Sequence, residues 1–344
     1  MVRAAEIPGF EDSGNARLLL IPEPDTLTPL PWRPSHGRVI RMLCQVCREQ
    51  DAAPYEADCR FLLKQAVQHA NELGILCNIG ADFEFYLFLN DTDGNPSPKP
   101  QDSAGYMDVA PLDRGENLRR DVCLTMEEMG MMPLSSHHEA GPGQNEIDFQ
   151  CSDPLRAADN ALTFRYAVSA VAAQNGLSAD FSPKPLDGKP GSGLHIHLLL
   201  SSVQNAPIPI DAFAAGILGH MRECTVFFNP IPDSFRRLND GHHRRHISAA
   251  PDGASILSVS RDNSCISVFS PDCEANPYLA YALLMEAGLD GVRKGRSLHS
   301  SVFDNRLALL PASRSEAMEE AKNSSFLRAC LPRPILRAYL DRTV

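Results

Sequence analysis

The stretch Leu76–Leu89 reads LCNIGADFEFYLFL and decides the fold of this chain. Its apolar and aromatic residues, followed by a turn cluster that begins at Asn90, predict one long β-strand. Alternate residues of a strand share a face, so Asp82 and Glu84 lie on one face and the phenylalanines beside them lie on the other. A strand of this kind combines a buried apolar face with a face that carries two acids.

Two further predicted strands carry polar residues at the same spacing. One places Glu146 and Asp148 on a common face, and the other does so with His195 and His197. Taken alone, an acid pair is most simply explained as a solvated strand face, and the histidine pair is explained as well by satisfied polar residues at a sheet edge as by metal ligation. Carboxylates packed together repel one another, however, and a hard divalent cation keeps them ionised. The recurrence therefore predicts a metal site, and mostly oxygen ligands favour Mg²⁺ or Mn²⁺ over zinc.

The remaining pattern alternates long helices with strands. We expect helices over Ala57–Leu73, Asn117–Met129, Pro154–Asn175 and Ala212–Val226, another helix capped by Asn276, and two helices near Ser313–Lys322 and Ser325–Asp341. We expect further strands over Val39–Val46, Gln144–Gln150, Leu194–Leu200, Ile256–Val259 and Cys265–Phe269. Hairpin-like pairs of strands among long helices predict an α+β protein built on an antiparallel sheet.

Composition excludes several classes of protein. The chain has 344 residues with 43% hydrophobic residues, which is enough for a large core, and its net charge is −11. An acidic chain without a Lys/Arg block predicts no nucleic-acid partner. No stretch resembles a signal peptide or a membrane span, so we expect no membrane association and a cytoplasmic location. The ten cysteines are expected to be reduced, and Cys44 and Cys47 are expected to be strand residues.

These segments together resemble the glutamine synthetase family. The resemblance rests on Gly80–Phe88 and His137–Glu146 as metal-ligand segments, on Lys184–His197 as a nucleotide and glutamate signature, and on Ser234–Leu238 and Ser270–Leu279. It implies a catalytic domain with a curved antiparallel sheet flanked by helices. It also implies an ATP-dependent carboxylate–amine ligase, in which ATP phosphorylates the γ-carboxylate of glutamate and ammonia displaces the phosphate.

The resemblance also implies roles for individual residues. The first cation would bind to Glu84, Glu139 and Glu146, and the second to Asp82, His195 and one further glutamate. The nucleotide would contact Lys184 and His197. The amino-acid substrate would contact Gly191, Arg237, Gln144 and Asn145, with Arg237 on its α-carboxylate.

Several positions depart from the family pattern. Ser267 stands where the second cation's glutamate is expected, and Cys265 and Phe269 stand where two arginines are expected. His243 stands near the position of a glutamate in the flap that closes the site. Phosphoryl transfer depends on positioned positive charge, which serine and phenylalanine do not supply. The departures predict that ligation is lost or strongly reduced.

The beginning of the chain is short by comparison with the family. Leu18–Trp32 resembles the last strands of a small N-terminal domain, so we expect a remnant of this β-grasp-like domain over residues 1–50 and the catalytic domain over residues 51–344. Family members form rings with shared active sites. We therefore expect a homo-oligomer or an association with another subunit.

The departures favour a degenerate homologue that keeps the fold and the first cation site and binds an amino acid, with ATP as a further ligand. An active ligase for a different amine or acid is the alternative, with basic residues between His242 and His246 replacing the missing contacts. A metal-dependent enzyme of another class, which would use only the first cation site, is the third hypothesis.

Overall fold

The computed structural model describes residues 2–3, 17–33, 37–203, 207–241, 246–249, 255–298 and 309–341. Its strands are β1 Val2–Arg3, β2 Arg17–Pro22, β3 Thr28–Pro29, β4 Ile40–Arg41, β5 Cys44–Arg48, β6 Ile75–Asn90, β7 Pro96–Pro100, β8 Pro133–His138, β9 Gln144–Phe149, β10 Leu177–Asp180, β11 Leu194–Ser202, β12 His246–Ala249, β13 Ser255–Val259 and β14 Cys265–Val268. Its helices are α1 Cys59–Glu72, α2 Glu116–Glu128, α3 Pro154–Gln174, α4 Ile210–Phe228, α5 Pro232–Leu238, α6 Pro277–Arg293, α7 Arg314–Asn323, α8 Ser325–Cys330 and α9 Arg333–Leu340.

The predicted long strand, β6, lies in the middle of a nine-stranded sheet. The strand order is β12-β13-β14-β11-β6-β9-β8, and β10 and β7 also pair with β6. Pairing of the described strands in this sheet is antiparallel except between β12 and β13. The structure confirms an α+β fold on a largely antiparallel sheet.

Aromatic packing covers the apolar face of β6. The Phe164 ring of α3 lies 4.7 Å from the Phe83 ring and 5.2 Å from the Phe149 ring, measured between centroids. Phe83, Phe85 and Phe164 are at most 4% exposed. Because a slip of one residue would bring this face out of the core, the packing fixes the strand register and directs Asp82 and Glu84 to the opposite face.

Capping residues set where the main helices begin. The Asn276 side chain accepts hydrogen bonds from the backbone N–H groups of Tyr278 and Leu279, and Pro277 occupies the first helical position. Asp153 caps α3 in the same way. The predicted start of α6 is therefore confirmed.

Two predicted elements are divided in the structure. The strand expected over Val39–Val46 is split into β4 and β5. The N–H of Leu43 donates to Thr26 Oγ1, and its carbonyl accepts from the N–H of Glu23. Because both groups are used in this way, Leu43 does not take part in the pairing of either strand. The helix expected over Ser325–Asp341 is split into α8 and α9 at Pro332, which has no N–H to donate and holds the preceding residue extended.

The strands near the beginning of the chain form sheets apart from the central one. β1, β2 and β5 make a three-stranded sheet, and β3 pairs with β4. Cys44 and Cys47 both lie in β5, which confirms them as strand residues, and all ten cysteines are free thiols. The division into residues 1–50 and 51–344 stays a prediction. None of the helices described here is long and apolar enough to cross a membrane.

Candidate metal centre

Strand register brings the predicted polar residues to one cleft. In the pairing of β6 with β9, Asp82 lies opposite Asp148 and Glu84 lies opposite Glu146, and in the pairing with β11 His195 lies opposite Asp82. The cleft has a volume of about 610 Å³ and is lined by Glu84, Tyr106, Met107, Ser135, Ser136, His137, Glu139, Glu146, Asp148 and His195.

Glu84 lies at the inner end of the cleft. Its Oε2 accepts hydrogen bonds from Gly193 N–H at 2.9 Å and from Gln144 Nε2 at 3.2 Å, and its Oε1 lies 3.5 Å from His195 Nε2. One ligand atom each from Glu84, Glu146 and His195 lie within 4.8 Å of one another. The Gln144 side chain thus reaches the cleft and orients a carboxylate there.

Glu139 reaches the same cleft from the turn after β8. Its backbone N–H donates to the carbonyl of Gln144, and its Oε1 lies 3.1 Å from His137 Nε2. The turn is held tightly, because a Cβ at Gly141 would collide with Tyr86 Oη. A second group of possible ligands, His137, Glu139 and Glu146, lies within 4.8 Å.

The carboxylates of the cleft are poorly compensated. Glu146 is 8% exposed, and its side chain shares a hydrogen bond with the neighbouring acid Glu84. Burial raises the pKa of Glu84, Glu139 and Glu146, and the neighbouring carboxylates Glu84 and Glu139 add to the effect at Glu146. A divalent cation would offset the repulsion between these carboxylates, so the three acids form a set of ligands that suits such an ion.

His197 fills the place beside Asp82. Its Nε2 lies 2.6 Å from Asp82 Oδ2 and its Nδ1 lies 2.7 Å from Ser267 Oγ. Burial alone would lower the pKa of His197, but the hydrogen bond to Asp82 and the nearby Cys265 thiol raise it to about 10. The His197 ring therefore bridges Asp82 and Ser267.

The substituted positions lie beside the two histidines. Ser267 is opposite His197 in the pairing of β11 with β14, and the Phe269 ring lies edge-on to the His195 ring at 5.2 Å between centroids. Cys265 lies two residues earlier on β14. Ser267 thus lies next to His197, and its correspondence to the family's glutamate stays a prediction. His243, with the basic residues next to it, lies outside the described residues.

Three other predicted site residues are outside the cleft lining, although Arg237 Nη1 comes close to His195 and Glu84 at Gly193. The Arg237 side chain is fully buried, and its Nη2 donates to Asn229 Oδ1 at 2.9 Å and to the carbonyl of Ser270. The Lys184 ammonium donates to Asp240 Oδ2 at 2.6 Å and to the carbonyl of Lys189 at 2.5 Å. Gly191 packs on Arg237, since a Cβ there would lie 2.6 Å from Arg237 Cγ. Their predicted roles stay predictions.

Asn145 also points away from the acids. It is 1% exposed, its Oδ1 accepts from Arg119 Nη1 at 2.6 Å, and its Nδ2 donates to the carbonyl of Gly143. Strand alternation explains this, because Glu146 on the next position faces the cleft. The structure does not bring Asn145 to the site.

A buried charge network behind the cleft was missed at the level of sequence. Asp102 accepts hydrogen bonds from His138 Nε2 and the N–H of Gly143, both at 2.9 Å, and Asp113 pairs with Arg119 at 2.6 Å. Burial opposes both charges, yet the contact raises the pKa of His138 and lowers that of Asp102 to about 2. The only signal in the sequence was that His138 must face away from His137.

Hydrogen bonds to the backbone connect this network with the cleft. His138 Nδ1 lies 2.6 Å from the carbonyl oxygen of Glu139, and the N–H of Met107 donates to the carbonyl of His138. The ring of Tyr106 packs edge-on against His137 at 5.5 Å between centroids. The His138–Asp102 pair therefore holds the backbone that presents both Glu139 and the Tyr106–Met107 wall.

Comparison with known proteins agrees with this geometry. The family model of the glutamine synthetase catalytic domain matches residues 56–343. A glutamine synthetase of Methanosarcina mazei is 36% identical over 368 aligned positions, covering 99% of this chain and 82% of that protein. One from Clostridium saccharobutylicum is 36% identical over 332 positions, covering 92% and 75%.

Solved structures show the same likeness. GmaS in complex with ADP superposes with a TM-score of 0.86 at 25% identity, covering 98% of this chain and 84% of that one. GmaS without ligand gives a TM-score of 0.82 at 26% identity, covering 94% and 80%. By its sequence, its fold and the placement of its acids, this chain belongs to the glutamine synthetase family.

Proposed function

We propose that this protein is a degenerate member of its family. It keeps the first divalent-cation site, on Glu84, Glu139 and Glu146, and has lost most or all ATP-dependent glutamate–ammonia ligation. Bound Mg²⁺ or Mn²⁺ would neutralise the three carboxylates and offer an electrophilic centre to an amino-acid ligand. The proposed partners are an amino acid, ATP, and another subunit, either a second copy or a different chain.

The observation that carries the proposal is the placement of Ser267 and Phe269. These neutral side chains lie beside His197 and His195, where the family has a glutamate and an arginine. The described residues that line the cleft include neither lysine nor arginine. Transfer of a phosphoryl group requires positive charge fixed before the reaction, because charge brought by a mobile side chain must first be ordered.

Two described cations lie near the cleft, and both already have partners for part or all of their charge. The Lys184 ammonium is paired with Asp240, and the Arg237 guanidinium is buried against Asn229. Arg261 lies exposed in the turn between β13 and β14. The Nε and Nη1 atoms of Arg237 have no hydrogen-bond partner among the described residues, and a Cβ built on Gly193 would lie 3.4 Å from Arg237 Nη1 and from His195 Nε2, so this guanidinium is the described one that comes near His195 and Glu84.

The test is a coupled assay of ADP release with purified protein, Mg²⁺ or Mn²⁺, ATP and glutamate. Ammonia and a panel of primary amines are added in turn. We expect no amine-dependent ADP release above the rate without protein. The triple variant C265R/S267E/F269R, which restores the family residues, is the positive comparison. Amine-dependent turnover by the unmodified chain would contradict the loss of activity.

Metal binding is tested separately by calorimetry with Mn²⁺. The substitution Glu139→Gln removes one carboxylate of the first site and should abolish or strongly weaken binding there. The matched control is Asp93→Asn in the exposed turn after β6, which should bind as the unmodified chain does. Unchanged Mn²⁺ binding by Glu139→Gln would refute the first-site assignment.

The second candidate is an active carboxylate–amine ligase with an altered amine or acid. It is favoured by the 36% identity to proteins named glutamine synthetase over almost the whole chain. In this case Lys184 and His197 would contact the nucleotide, and Gly191, Gln144, Asn145 and Arg237 the amino acid. The amine panel in the same assay distinguishes it from the degenerate homologue.

A further inference from the structure

We propose that Asp272 and Asn229 are positioning residues for an amino-acid ligand of the cleft. They hold the buried Arg237 guanidinium in the orientation that aims its Nη1 atom at the inner end of the cleft. The inference rests on the proposed function, because the ligand is the amino acid proposed there and Arg237 would contact its α-carboxylate. It adds two residues that act on this ligand only through Arg237.

The Arg237 side chain is enclosed by protein groups that lie outside the cleft lining. It is fully buried, and Gly191 packs on its aliphatic part, where a Cβ would lie 2.6 Å from Arg237 Cγ. Its Nη2 donates to Asn229 Oδ1 at 2.9 Å and to the carbonyl of Ser270. Its Nε lies 3.9 Å from Asp272 Oδ2, and the Asp272 side chain is fully buried as well. These groups therefore occupy the Nε and Nη2 side of the guanidinium.

The third nitrogen of the guanidinium, Nη1, lies on the side of the cleft. A Cβ built on Gly193 would lie 3.4 Å from Arg237 Nη1, 3.4 Å from His195 Nε2 and 3.6 Å from Glu84 Oε1. The three side chains thus surround one point next to the Gly193 backbone. Nη1 has no hydrogen-bond acceptor among the described residues. A ligand that enters the cleft beside Glu84 and His195 therefore meets the Nη1 side of the guanidinium.

Charge gives Asp272 the larger part in this arrangement. A buried guanidinium keeps its charge, so it requires a carboxylate nearby. On the Nε side of Arg237 the structure supplies Asp272 as this carboxylate. Asp272 Oδ1 accepts a hydrogen bond from the backbone N–H of Glu274 at 3.0 Å, and the same side chain shares a hydrogen bond with Ser234 of α5. The Asp272 carboxylate is therefore held in place before a ligand binds.

The planar shape of the guanidinium converts these contacts into a direction. Its N–H bonds lie in one plane at fixed angles, so groups that hold Nε and Nη2 also set where the N–H bonds of Nη1 point. Asn229 is itself fixed at the end of α4, where its backbone N–H donates to the carbonyl of Thr225 at 2.8 Å. Without Asp272 or Asn229 the guanidinium would be free to turn, and ordering it again would lower the affinity for a carboxylate.

The experiment compares the binding of two ligands to the full chain by calorimetry with Mn²⁺ present. L-glutamate carries an α-carboxylate, and L-isoglutamine carries an uncharged amide in its place. The unmodified chain should bind glutamate about tenfold more tightly, because only the carboxylate pairs with Arg237. Asp272→Asn should weaken glutamate binding about tenfold and change isoglutamine binding by less than about twofold. Glu274→Gln is the matched control, since that carboxylate lies beside Arg165, and it should bind both ligands as the unmodified chain does.

Two further variants show whether the effect passes through Arg237. Arg237→Gln should remove the preference for glutamate, and adding Asp272→Asn to it should change the two affinities no further. Asn229→Ala replaces one neutral side chain by another, so it tests the orientation of the guanidinium even where Asp272→Asn folds poorly. It should lower the preference for glutamate about threefold.

The outcomes separate this inference from the proposed function. Equal losses of affinity for both ligands in Asp272→Asn and Asn229→Ala would indicate a purely structural role and overturn the inference. An unmodified chain that binds neither ligand, or both equally well, would overturn it too and would leave the cation site and the loss of ligation standing. Amine-dependent ADP release by a chain that prefers glutamate would instead refute the loss of ligation and leave the positioning role intact.

Discussion

The substitution Glu146→Gln should change the stability of this protein in opposite directions with and without metal. The carboxyl group of Glu146 is buried and lies among other acids, and burial and these acids raise its pKa. Glutamine keeps the size of the side chain and removes the charge. Without metal, the variant should therefore be more stable than the unmodified chain at pH 8.

The size of the effect can be worked out. Replacing a buried charged group that its surroundings compensate poorly should raise the free energy of unfolding by about 1–3 kcal/mol. An unfolding entropy of about 2.1 cal/mol/K per residue makes 1 kcal/mol equal to roughly 1.4 °C in Tm for a chain of this length. We thus expect Tm of the metal-free variant to rise by about 1.5–4 °C.

The sign of the pH dependence follows from the raised pKa of Glu146. A carboxyl whose pKa is higher in the folded state contributes stability below its ordinary pKa and loses it as pH rises towards the folded value. The metal-free unmodified chain should therefore lose stability from about pH 4.5 upward. The loss of stability per pH unit should be smaller in Glu146→Gln, because that chain lacks the titrating group.

With bound metal, the unmodified chain should be more stable than Glu146→Gln. A ligand at 100 times its Kd stabilises the folded state by about 2.7 kcal/mol, or roughly 4 °C here. Mn²⁺ should raise Tm of the unmodified chain by this amount and leave Glu146→Gln nearly unchanged. The assay is thermal unfolding followed by circular dichroism, with EDTA or Mn²⁺, from pH 5 to 8. A lower Tm for the variant in EDTA, or equal stabilisation by Mn²⁺, would refute the reasoning.

Three further substitutions test the framework around the site. Asp102→Asn removes the carboxylate that accepts hydrogen bonds from His138 and Gly143, so it should destabilise the fold by about 1–3 kcal/mol in urea unfolding; no measurable loss would show that the pair is not important. Phe164→Ala removes the ring that packs on Phe83 and should cost about 3–5 kcal/mol in the same measurement, whereas an effect near zero would mean that the sheet is not packed on α3 at this ring. Asn276→Ala removes the cap of α6 and should cost about 1 kcal/mol by thermal unfolding, and no change in Tm would contradict the capping role.

Much of the fold follows from local pattern. The alternation in β6 predicts the buried phenylalanines, and the Asn276–Pro277 pair predicts the start of α6. The divisions at Leu43 and Pro332 were not foreseen. At Leu43 the cause is a contact with Thr26, which is distant in sequence, and local periodicity carries no information about such a contact.

The candidate site shows the same difference between local and distant information. Glu84, Glu139, Glu146 and His195 could be named from spacing and resemblance, and the structure brings their side chains together. Asn145 could not be excluded from motif position alone. Residue parity turns its side chain away from the cleft, and Arg119, a partner that no spacing rule links to it, holds it there.

The amino-acid sequence by itself determined which faces of the central strands are acidic, because side-chain direction in a strand depends only on residue parity. It also determined that Ser267 and Phe269 are neutral where charge is expected. Only the tertiary structure decided that His197 closes the Ser267 side of Asp82 and that Asp148 lies across from Asp82. Strand pairing and hydrogen bonding join residues that are far apart in the chain, and these contacts exist only once the sheet has formed.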